Sequence, residues 1–348
     1  MRVFLLTARY LDLEIPIIEE IKRQGHEIFV LNDEMLPTDS YQKKGGKELL
    51  FVNPILSIYN RCFRIYERYW ARKIEKIEEL SFSYDLFICI QGQSFHPYLL
   101  RHLRKVNPMI KTCLYIWDTN EYYNFVRNIK YFDKRFSFDL RDCVNNKGLL
   151  FLPFYWVNIP YMNETKYDIS IIGSDHDGRF EIIDKLYSQI KKNLKSYFIK
   201  VVITPYPFYR YPQFKIKLYR LLRYKWYVNM IEKWNYKKNQ EFTTIDYYPY
   251  GDVEKIIAAS GCILDTDREC QFGTTPRMIW ALAFGKKVIT TNKNIAFFPF
   301  FNEKQIKIID RNNPTLDWNF ITSKYTCNNS DYIDSLRIDR WINNFILF

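Results

Sequence analysis

The stretch Arg2-Val3-Phe4-Leu5-Leu6-Thr7-Ala8 sets the fold of the first half of the chain, together with the pattern that follows it. Such a continuous apolar run is typical of a strand that is buried on both faces of a parallel sheet. Residues 14–24 (EIPIIEEIKRQ) then place isoleucines on one helical face, and Gly25 ends that helix. The next apolar run, 26–31 (HEIFVL), completes a predicted β-α-β unit.

The same alternation continues along both halves of the chain, which are joined by a polar linker at 158–166. Strands are predicted at 85–90, 112–117, 136–138, 149–153, 167–173, 200–204, 261–264 and 286–291. Helices are predicted at about 54–80, 97–105, 179–193, 213–238 and 276–284, with one last helix within 331–347. Strands that alternate with helices indicate parallel, doubly wound α/β sheets, so we predict a domain at 1–158, a second at 159–328 and a terminal helix at 329–348.

The composition supports two globular domains and an anionic partner. The 348 residues are 47% hydrophobic and 18% aromatic, which excludes a disordered chain. The net charge is +12, which favours nucleic acid, an acidic membrane or a phosphorylated substrate as the partner.

The cysteines and the termini predict a cytosolic protein. Seven cysteines without a CxxC pair argue against a disulfide framework and a structural zinc site, and therefore for a reducing compartment. Arg9, Asp12 and Glu14 interrupt the N-terminal apolar run too early for a signal peptide, and no apolar run reaches the length of a membrane span. We expect a cytoplasmic chain, soluble or peripheral on the inner face of the plasma membrane.

Several classes of site are excluded by their missing motifs. The sequence contains no GxGxxG, GxxxxGK[ST], HExxH or GxSxG, which removes dinucleotide-binding, P-loop, metalloprotease and serine hydrolase readings.

The first loop whose residues could bind a ligand is Gly173-Ser174-Asp175-His176-Asp177-Gly178-Arg179. It follows a predicted strand and opens a helix, so its amides favour an anion, and the Arg179 guanidinium can hold a phosphate with two hydrogen bonds. His176 can donate to the same oxygen or to a sugar hydroxyl. The alternative is an ordinary helix start that is capped by Ser174 or Asp175, with Arg179 solvated.

The second loop is Gly273-Thr274-Thr275-Pro276-Arg277, which leads into a helix that Gly285 ends. Gly273, the two threonines and the first amides of the helix predict a further phosphate site, with Arg277 as a candidate contact. The alternative is a plain loop, helix and strand unit.

The residues around this loop carry a resemblance to a known family. The segment resembles the donor-binding segment of GT-B glycosyltransferases, closest to the lipopolysaccharide and exopolysaccharide (CgeB-like and group 1-like) enzymes of bacteria. The matching positions are Arg277, Ile279, Ala281, Leu282, Gly285, Lys286, Lys287 and 289–292. Residues 114–119 (LYIWDT), 132–139 (FDKRFSFD), Asp142, 151–153 (FLP) and the pair His176 and Arg179 follow the same family order.

The resemblance implies a GT-B fold with two Rossmann-like domains and a final helix that packs back on the first. It implies that the C-terminal domain binds a nucleotide sugar, with a UDP-sugar as the default donor. The N-terminal domain would take a saccharide or lipid-linked acceptor across an interdomain cleft, in the assembly of surface polysaccharide. The donor is a co-substrate, so no resident cofactor is expected. Transfer would be metal-independent, because basic groups and helix N-termini stabilise the departing diphosphate in such enzymes; the triplet Asp265-Thr266-Asp267 is weak evidence for a metal site.

One position departs from the family pattern. Trp280 stands where the family has the glutamate that commonly binds the nucleotide ribose, and tryptophan has no carboxylate to accept from two hydroxyls. Asp267 and Glu269 are the candidates for that role.

Transfer also needs a group that removes the proton of the acceptor hydroxyl. Asp118 follows a predicted buried strand and is the candidate base, with His176 as a second catalytic candidate. The alternative for Asp118 is capping of a helix that starts near Asn120.

The segment 207–238 is strongly basic and rich in aromatic residues. This composition suits the headgroup region of an anionic membrane, and it also suits single-stranded nucleic acid or a solvated helix that packs its aromatic face on the domain. We favour the membrane, because the loops point to sugar chemistry, and expect no nucleic acid partner.

Two rival functions remain open. The chain could be a non-catalytic nucleic-acid or polysaccharide-binding protein that keeps a GT-B shape, which the loss of the glutamate at position 280 favours. It could also be a nucleotide-sugar epimerase of the same architecture.

Overall fold

The structure is a computed structural model that describes residues 1–8, 12–32, 65–92, 95–121, 125–157, 165–209, 211–325 and 330–347. These residues divide into two compact units. The first unit comprises Met1–Asn158, Cys270–Pro276 and Asp334–Phe348, and the second comprises Ile159–Glu269 and Arg277–Ile333.

The first unit is built on one parallel sheet. Its elements are β1 (Arg2–Thr7), α1 (Ile15–Arg23), β2 (Glu27–Asn32), α2 (Ile65–Ile74), β3 (Leu86–Ile90), α3 (Pro97–Val106), β4 (Lys111–Ile116), α4 (Val126–Ile129), β5 (Lys134–Ser137), α5 (Leu140–Asn145) and β6 (Leu150–Phe151). The described strands pair in the order β2-β1-β3-β4-β5-β6, all in parallel. The order reverses between β1 and β3, which is the topological switch point of this sheet.

The second unit repeats the plan. Its elements are β7 (Tyr167–Ser174), α6 (Arg179–Asn193), β8 (Tyr197–Val202), α7 (Gln213–Leu222), α8 (Tyr224–Lys238), β9 (Thr243–Thr244), α9 (Tyr250–Ala258), β10 (Ser260–Asp265), α10 (Pro276–Ala283), β11 (Lys287–Thr290), β12 (Ile306–Ile308) and α11 (Trp318–Thr322). The described strands pair in parallel in the order β12-β11-β10-β7-β8-β9. The switch point of this sheet lies between β7 and β10.

The apolar runs of the sequence become the buried strands of each sheet. Every residue of β3 is buried, and β1 exposes only Arg2, because helices cover both faces of a parallel sheet. In the first unit Phe4 stacks on Phe87 with ring centroids 5.1 Å apart, and both side chains are fully buried. The predicted class, two doubly wound parallel α/β sheets, is therefore confirmed.

The C-terminal segment is less regular than predicted. In place of one final helix the structure has α12 (Asp331–Ser335), α13 (Ile338–Trp341) and α14 (Asn343–Ile346). The interruption has a clear cause, because Leu336 O accepts from Trp156 N and Ile338 N donates to Trp156 O, which draws the chain out of the helix. Trp341 then anchors the segment in the first unit: it is fully buried and its Nε1 donates to Pro153 O at 2.9 Å.

Two further helix predictions need correction. The stretch 213–238 is a pair of helices, α7 and α8, that meet at Arg223, whose φ of −133° and ψ of 47° break the helical path. Of the helix predicted at about 54–80, the structure has α2 at 65–74 and a short 3-10 helix at Glu78–Ser81, while residues 54–64 lie outside the described part of the chain.

Candidate functional site

The loops at the carboxyl ends of β7 and β10 form the core of the candidate site in the second unit. The two strands are parallel neighbours, so the residues after Ser174 and after Asp265 emerge side by side at the switch point of the sheet. This edge is where doubly wound sheets bind their ligands.

Arg179 ties these two loops together. It is only 2% exposed, its Nε donates to Thr266 Oγ1 at 2.6 Å, and its Nη2 donates to Thr266 O at 2.9 Å. Its Nη1 donates to Ser174 O. A Cβ on Gly173 would lie 2.8 Å from Arg179 Nη1 and 3.3 Å from Arg277 Nη1, so the glycine leaves room for two guanidinium groups. Arg179 thus positions the loop after β7, and its predicted contact with a phosphate stays a prediction.

Three more arginines surround the same loops, and each has an aspartate beside it. The pairs are Arg277 with Asp265 at 3.0 Å, Arg268 with Asp177 at 3.1 Å and Arg311 with Asp267 at 2.6 Å. Arg268 and Arg311 were not predicted from the sequence. Each stands three residues beyond the end of its strand, β10 or β12, and a basic residue at such a position is the signal that could have identified it.

His176 lies partly buried beside this arginine cluster. Its Nε2 lies 3.3 Å from Arg179 Nη1, and its Nδ1 lies 2.8 Å from Asp177 Oδ2 without hydrogen-bonding geometry. Burial, and then the charges of Arg179, Arg268 and Arg277, lower the pKa of His176 to about 2. The imidazole is therefore neutral at physiological pH, and the potential around it is positive.

A cavity of about 350 Å³ opens beside the first turn of α6. Its wall includes Gly178, Glu181, Lys185, Glu269 and Arg311. Asp177 and Gly178 both have left-handed backbones, with φ of 52° and 76°. A left-handed aspartate carries backbone strain of the kind that clusters at functional sites.

The alternative interpretation of this loop, in which Ser174 or Asp175 caps the helix, is wrong for α6. Gly178 is the N-cap residue and no side chain caps the helix, so neither Ser174 nor Asp175 does so. Asp175 instead binds Lys237 Nζ at 2.7 Å. The positive end of the α6 dipole therefore faces the cavity without a side-chain cap.

The two candidates for the ribose role stand in different environments. Asp267 is buried, its Oδ1 accepts from Arg311 Nη2 at 2.6 Å and from Thr291 Oγ1, and burial outweighs these contacts and raises its pKa. Glu269 is exposed on the cavity wall. Trp280 is 3% exposed inside α10, so position 280 contributes to the core of the unit.

The segment Cys270–Pro276 belongs to the first unit, whereas the predicted domain bounds put Gly273, Thr274 and Thr275 in the second domain. Phe272 N donates to Asp139 Oδ2 at 2.7 Å. Gly273 lies against Phe138 so closely that a Cβ would stand 2.5 Å from the ring. Close packing on Phe138 therefore explains the glycine without a phosphate.

This segment also contacts the start of α5. Arg141 Nη2 donates to Cys270 O, and its guanidinium lies 4.9 Å from the centre of the Phe272 ring. Thr274 is 1% exposed and its Oγ1 has no hydrogen-bond partner, while Thr275 is half-buried. A phosphate role for these threonines stays a prediction.

Asp118 follows β4 in the first unit, where it is half-buried and accepts from Gln271 Nε2 at 3.3 Å. Its alternative role is to cap a helix that starts near Asn120, and among the described residues no helix starts there. Residues 120 and 121 form a turn, the next described helix begins at Val126, and Asn120 N donates to Asp142 Oδ2 at 2.8 Å.

Two acidic residues beside Asp118 received no role from the sequence. Asp139 is fully buried and caps α5 by accepting from Arg141 N and Asp142 N. Burial raises the pKa of Asp142 to about 6, with the charge of Asp139 adding to the effect. Both carboxylates hold the backbone around the candidate base in place.

The predicted site residues therefore fall into two groups. Gly173, Ser174, His176, Arg179, Asp267, Glu269 and Arg277 belong to the second unit, and Asp118, Gly273, Thr274 and Thr275 belong to the first. In the described part of the chain, no group of three or more histidine, cysteine or acidic side chains is arranged to hold a metal ion. Within the same residues, every helix is too short or too polar to cross a membrane.

No family model matches the chain, and no curated protein matches it. Among solved structures, it is similar to AviGT4, a glycosyltransferase involved in avilamycin A biosynthesis, with 9% identity, 99% of this chain and 93% of that chain covered, and a TM-score of 0.47. It is also similar to sucrose-phosphate synthase from Thermosynechococcus elongatus, with 12% identity and a TM-score of 0.47. That alignment covers 99% of this chain and 92% of the synthase. A third similar structure is MurG of Acinetobacter baumannii, with 9% identity and a TM-score of 0.39. That alignment covers 99% of this chain and 93% of MurG.

Proposed function

We propose that the chain is a GT-B glycosyltransferase that moves a sugar from a nucleotide-sugar donor to a saccharide or lipid-linked acceptor in bacterial surface-polysaccharide assembly. One observation carries the proposal. Arginines from four separate segments meet at the switch point of the second sheet, beside a cavity and the first turn of α6. A cluster of this kind can bind the diphosphate of a nucleotide sugar.

The arginine cluster suits the charge that develops during transfer. As the glycosidic bond of the donor breaks, negative charge builds up on the departing diphosphate, and fixed guanidinium groups lower the energy of that state. Burial is the main cause of the lowered pKa of His176, and the charges of Arg179, Arg268 and Arg277 lower it further. These three charges give this place a positive potential. In this proposal basic groups do the work for which other enzymes use a bound metal, as the sequence resemblance implies.

Glu269 is the better candidate for the ribose. The carboxylate of Asp267 already accepts from Arg311 and Thr291, whereas the exposed carboxylate of Glu269 faces the cavity. A carboxylate can accept from both ribose hydroxyls, which is the role that Trp280 cannot perform. The donor proposed first is a UDP-sugar.

Asp118 is the proposed general base. Its Oδ1 accepts from Gln271, which orients the carboxylate, and the neighbouring backbone is held by Asp142. A carboxylate at the end of a buried strand has the rigid support that proton abstraction from an acceptor hydroxyl needs.

The donor site is tested by binding measurements on the full chain. A thermal-shift screen of UDP, GDP, CMP and dTDP should show selective stabilisation by one nucleotide. In calorimetry, Glu269→Gln should weaken that nucleotide about tenfold and leave inorganic pyrophosphate unchanged, because only the nucleotide carries the ribose.

The matched control is Glu181→Gln, which removes one negative charge from the same cavity wall. It should leave the affinity unchanged or raise it. Equal losses for nucleotide and pyrophosphate in Glu269→Gln would exclude the ribose contact, and no stabilisation by any nucleotide would argue against the donor site itself.

One observation keeps a second function in view. Trp280, at the position of the family glutamate, is buried, and this supports a chain that binds its ligand without catalysing transfer. Nucleotide-sugar binding with no transfer to any acceptor would favour this non-catalytic function. Salt-dependent RNA binding without nucleotide-sugar binding would favour a nucleic-acid-binding protein. A product formed without an acceptor would indicate an epimerase.

A further inference from the structure

Helix α7 presents an unusually apolar surface to solvent. None of its residues is buried, and Phe214, Leu218, Leu221 and Leu222 are 65%, 48%, 78% and 69% exposed. With 3.6 residues per turn, these four side chains share one face of the helix within an arc of about 100°. A continuous stripe of this kind is more than the scattered apolar residues of an ordinary surface.

Basic residues border the apolar stripe. Lys215 and Lys217 lie on opposite sides of it, and Arg220 follows beside Lys217. Arg223 and Lys225 continue the charge into α8, and residues 211–231 contain no acidic residue. Long basic side chains can extend their apolar stems along such a stripe and keep their charges at its rim.

The other face of α7 is the one that packs on the protein. Ile216 and Tyr219 are half-buried, and the Tyr219 ring lies 5.2 Å from the ring of Trp226 in α8. Helix α8 is in turn fixed to the second unit, where Trp234 Nε1 donates to Thr204 O at 2.9 Å and Lys237 binds Asp175. The exposed stripe therefore sits on a supported helix pair.

We propose that α7 docks on an anionic lipid bilayer, with its apolar stripe at the boundary between headgroups and acyl chains and its basic rim on the lipid headgroups. An apolar face with basic flanks is the pattern of helices that lie in the membrane interface. Tyr224 and Trp226, 61% and 39% exposed, add amphipathic rings of the type found at that depth.

Charge and side-chain type favour the bilayer over other occupants. A second copy of the chain would bring two strongly basic stripes together, and like charges oppose that contact. Single-stranded nucleic acid could stack its bases on Phe214, Tyr224 and Trp226, but it would leave the three leucines of the stripe without an apolar partner. This inference does not depend on the proposed glycosyl transfer.

The test is co-sedimentation of the full chain with phosphatidylcholine vesicles, with and without phosphatidylglycerol. Binding should require the anionic lipid and should fall as salt is raised. Each basic residue at an anionic surface contributes about fivefold, so replacing Lys215, Lys217, Arg220 and Arg223 by glutamine should reduce binding by at least about 100-fold. Leu218→Gln with Leu221→Gln should reduce it by about tenfold or more while the four basic residues remain.

The control variant replaces four exposed lysines elsewhere on the same unit, Lys192, Lys195, Lys293 and Lys304, by glutamine. It changes the net charge equally and should keep full binding. All exchanged side chains are exposed, so unchanged melting temperatures confirm folding. Absent binding, equal binding to neutral and anionic vesicles, or an equal loss in the control variant would overturn the proposal. A dimer that the leucine variant dissolves would assign the stripe to a second copy instead.

Discussion

Replacing Gly273 by alanine tests whether this glycine serves packing or phosphate binding. The added methyl group would lie 2.5 Å from Phe138 Cδ2 and 2.6 Å from Phe138 O. Ordinary carbon contacts are about 3.5–4.0 Å, so one side must move by about 1 Å. The Phe138 ring is 2% exposed and packs 5.5 Å from the ring of Phe154, and the carbonyl oxygen belongs to the backbone, so neither moves freely.

Overpacking of this kind costs about 1–3 kcal/mol of the free energy of unfolding. For a unit of this size, 1 kcal/mol changes the melting temperature by about 2–4 °C, so Gly273→Ala should melt about 2–12 °C below the natural chain. The control is Gly251→Ala in α9, where a methyl group meets no atom within 4 Å. It should stabilise the chain by about 0.5–1 kcal/mol, because alanine favours the helix.

The assay is thermal unfolding by circular dichroism, followed by calorimetric titration with nucleotide at a temperature where both variants are folded. We expect Gly273→Ala to lose stability and to bind nucleotide with unchanged affinity. A variant that melts with the natural chain but no longer binds nucleotide would refute the packing explanation, and would indicate that the glycine lets a phosphate approach the backbone.

Two predictions concern the candidate catalytic residues. Asp118→Asn should keep nucleotide affinity and melting temperature, because an amide oxygen still accepts from Gln271, while turnover falls about 100-fold or more; a lower melting temperature with intact turnover would give Asp118 a structural role. In proton NMR, the ring of His176, one of four histidines, should not titrate between pH 5 and 8, because its pKa is lowered to about 2. Nucleotide should raise that pKa, since a bound diphosphate offsets the arginine charges, and ordinary titration near pH 6.5 without ligand would contradict the geometry.

The fold was readable from the sequence because its signals are local. The helix predicted at 179–193 begins and ends at those residues, and the helix predicted at 97–105 ends one residue later. Errors arise where a distant contact overrides the local pattern, or where the local pattern is weak. Pairing with Trp156 divides the terminal helix, and β8 occupies 197–202 in place of 200–204, because its half-exposed positions weaken the apolar run.

The candidate site could be predicted only in part, because some of its contacts join residues that are distant in the sequence. Parallel strands bring their carboxyl ends to one edge of the sheet, so the sequence alone locates the loops that hold His176 and Arg179. The sequence does not predict the assignment of 270–276 to the first unit, because that assignment depends on Asp139 and Phe138, more than 130 residues away in sequence. Nothing in the loop itself marks that contact.

The pairing of arginines with aspartates bears on how such a site stays folded while empty. Four guanidinium groups gathered at one sheet edge would repel each other, and Asp177, Asp265 and Asp267 offset that cost. The same contacts fix the direction of each guanidinium before a ligand arrives, so a diphosphate meets donors that need little rearrangement. Arg179 differs in kind from its neighbours, because it holds the Thr266 and Ser174 carbonyls and so sets the distance between the two loops. Its loss should therefore displace the loops as well as remove a charge, and this makes it a positioning residue for the proposed donor site.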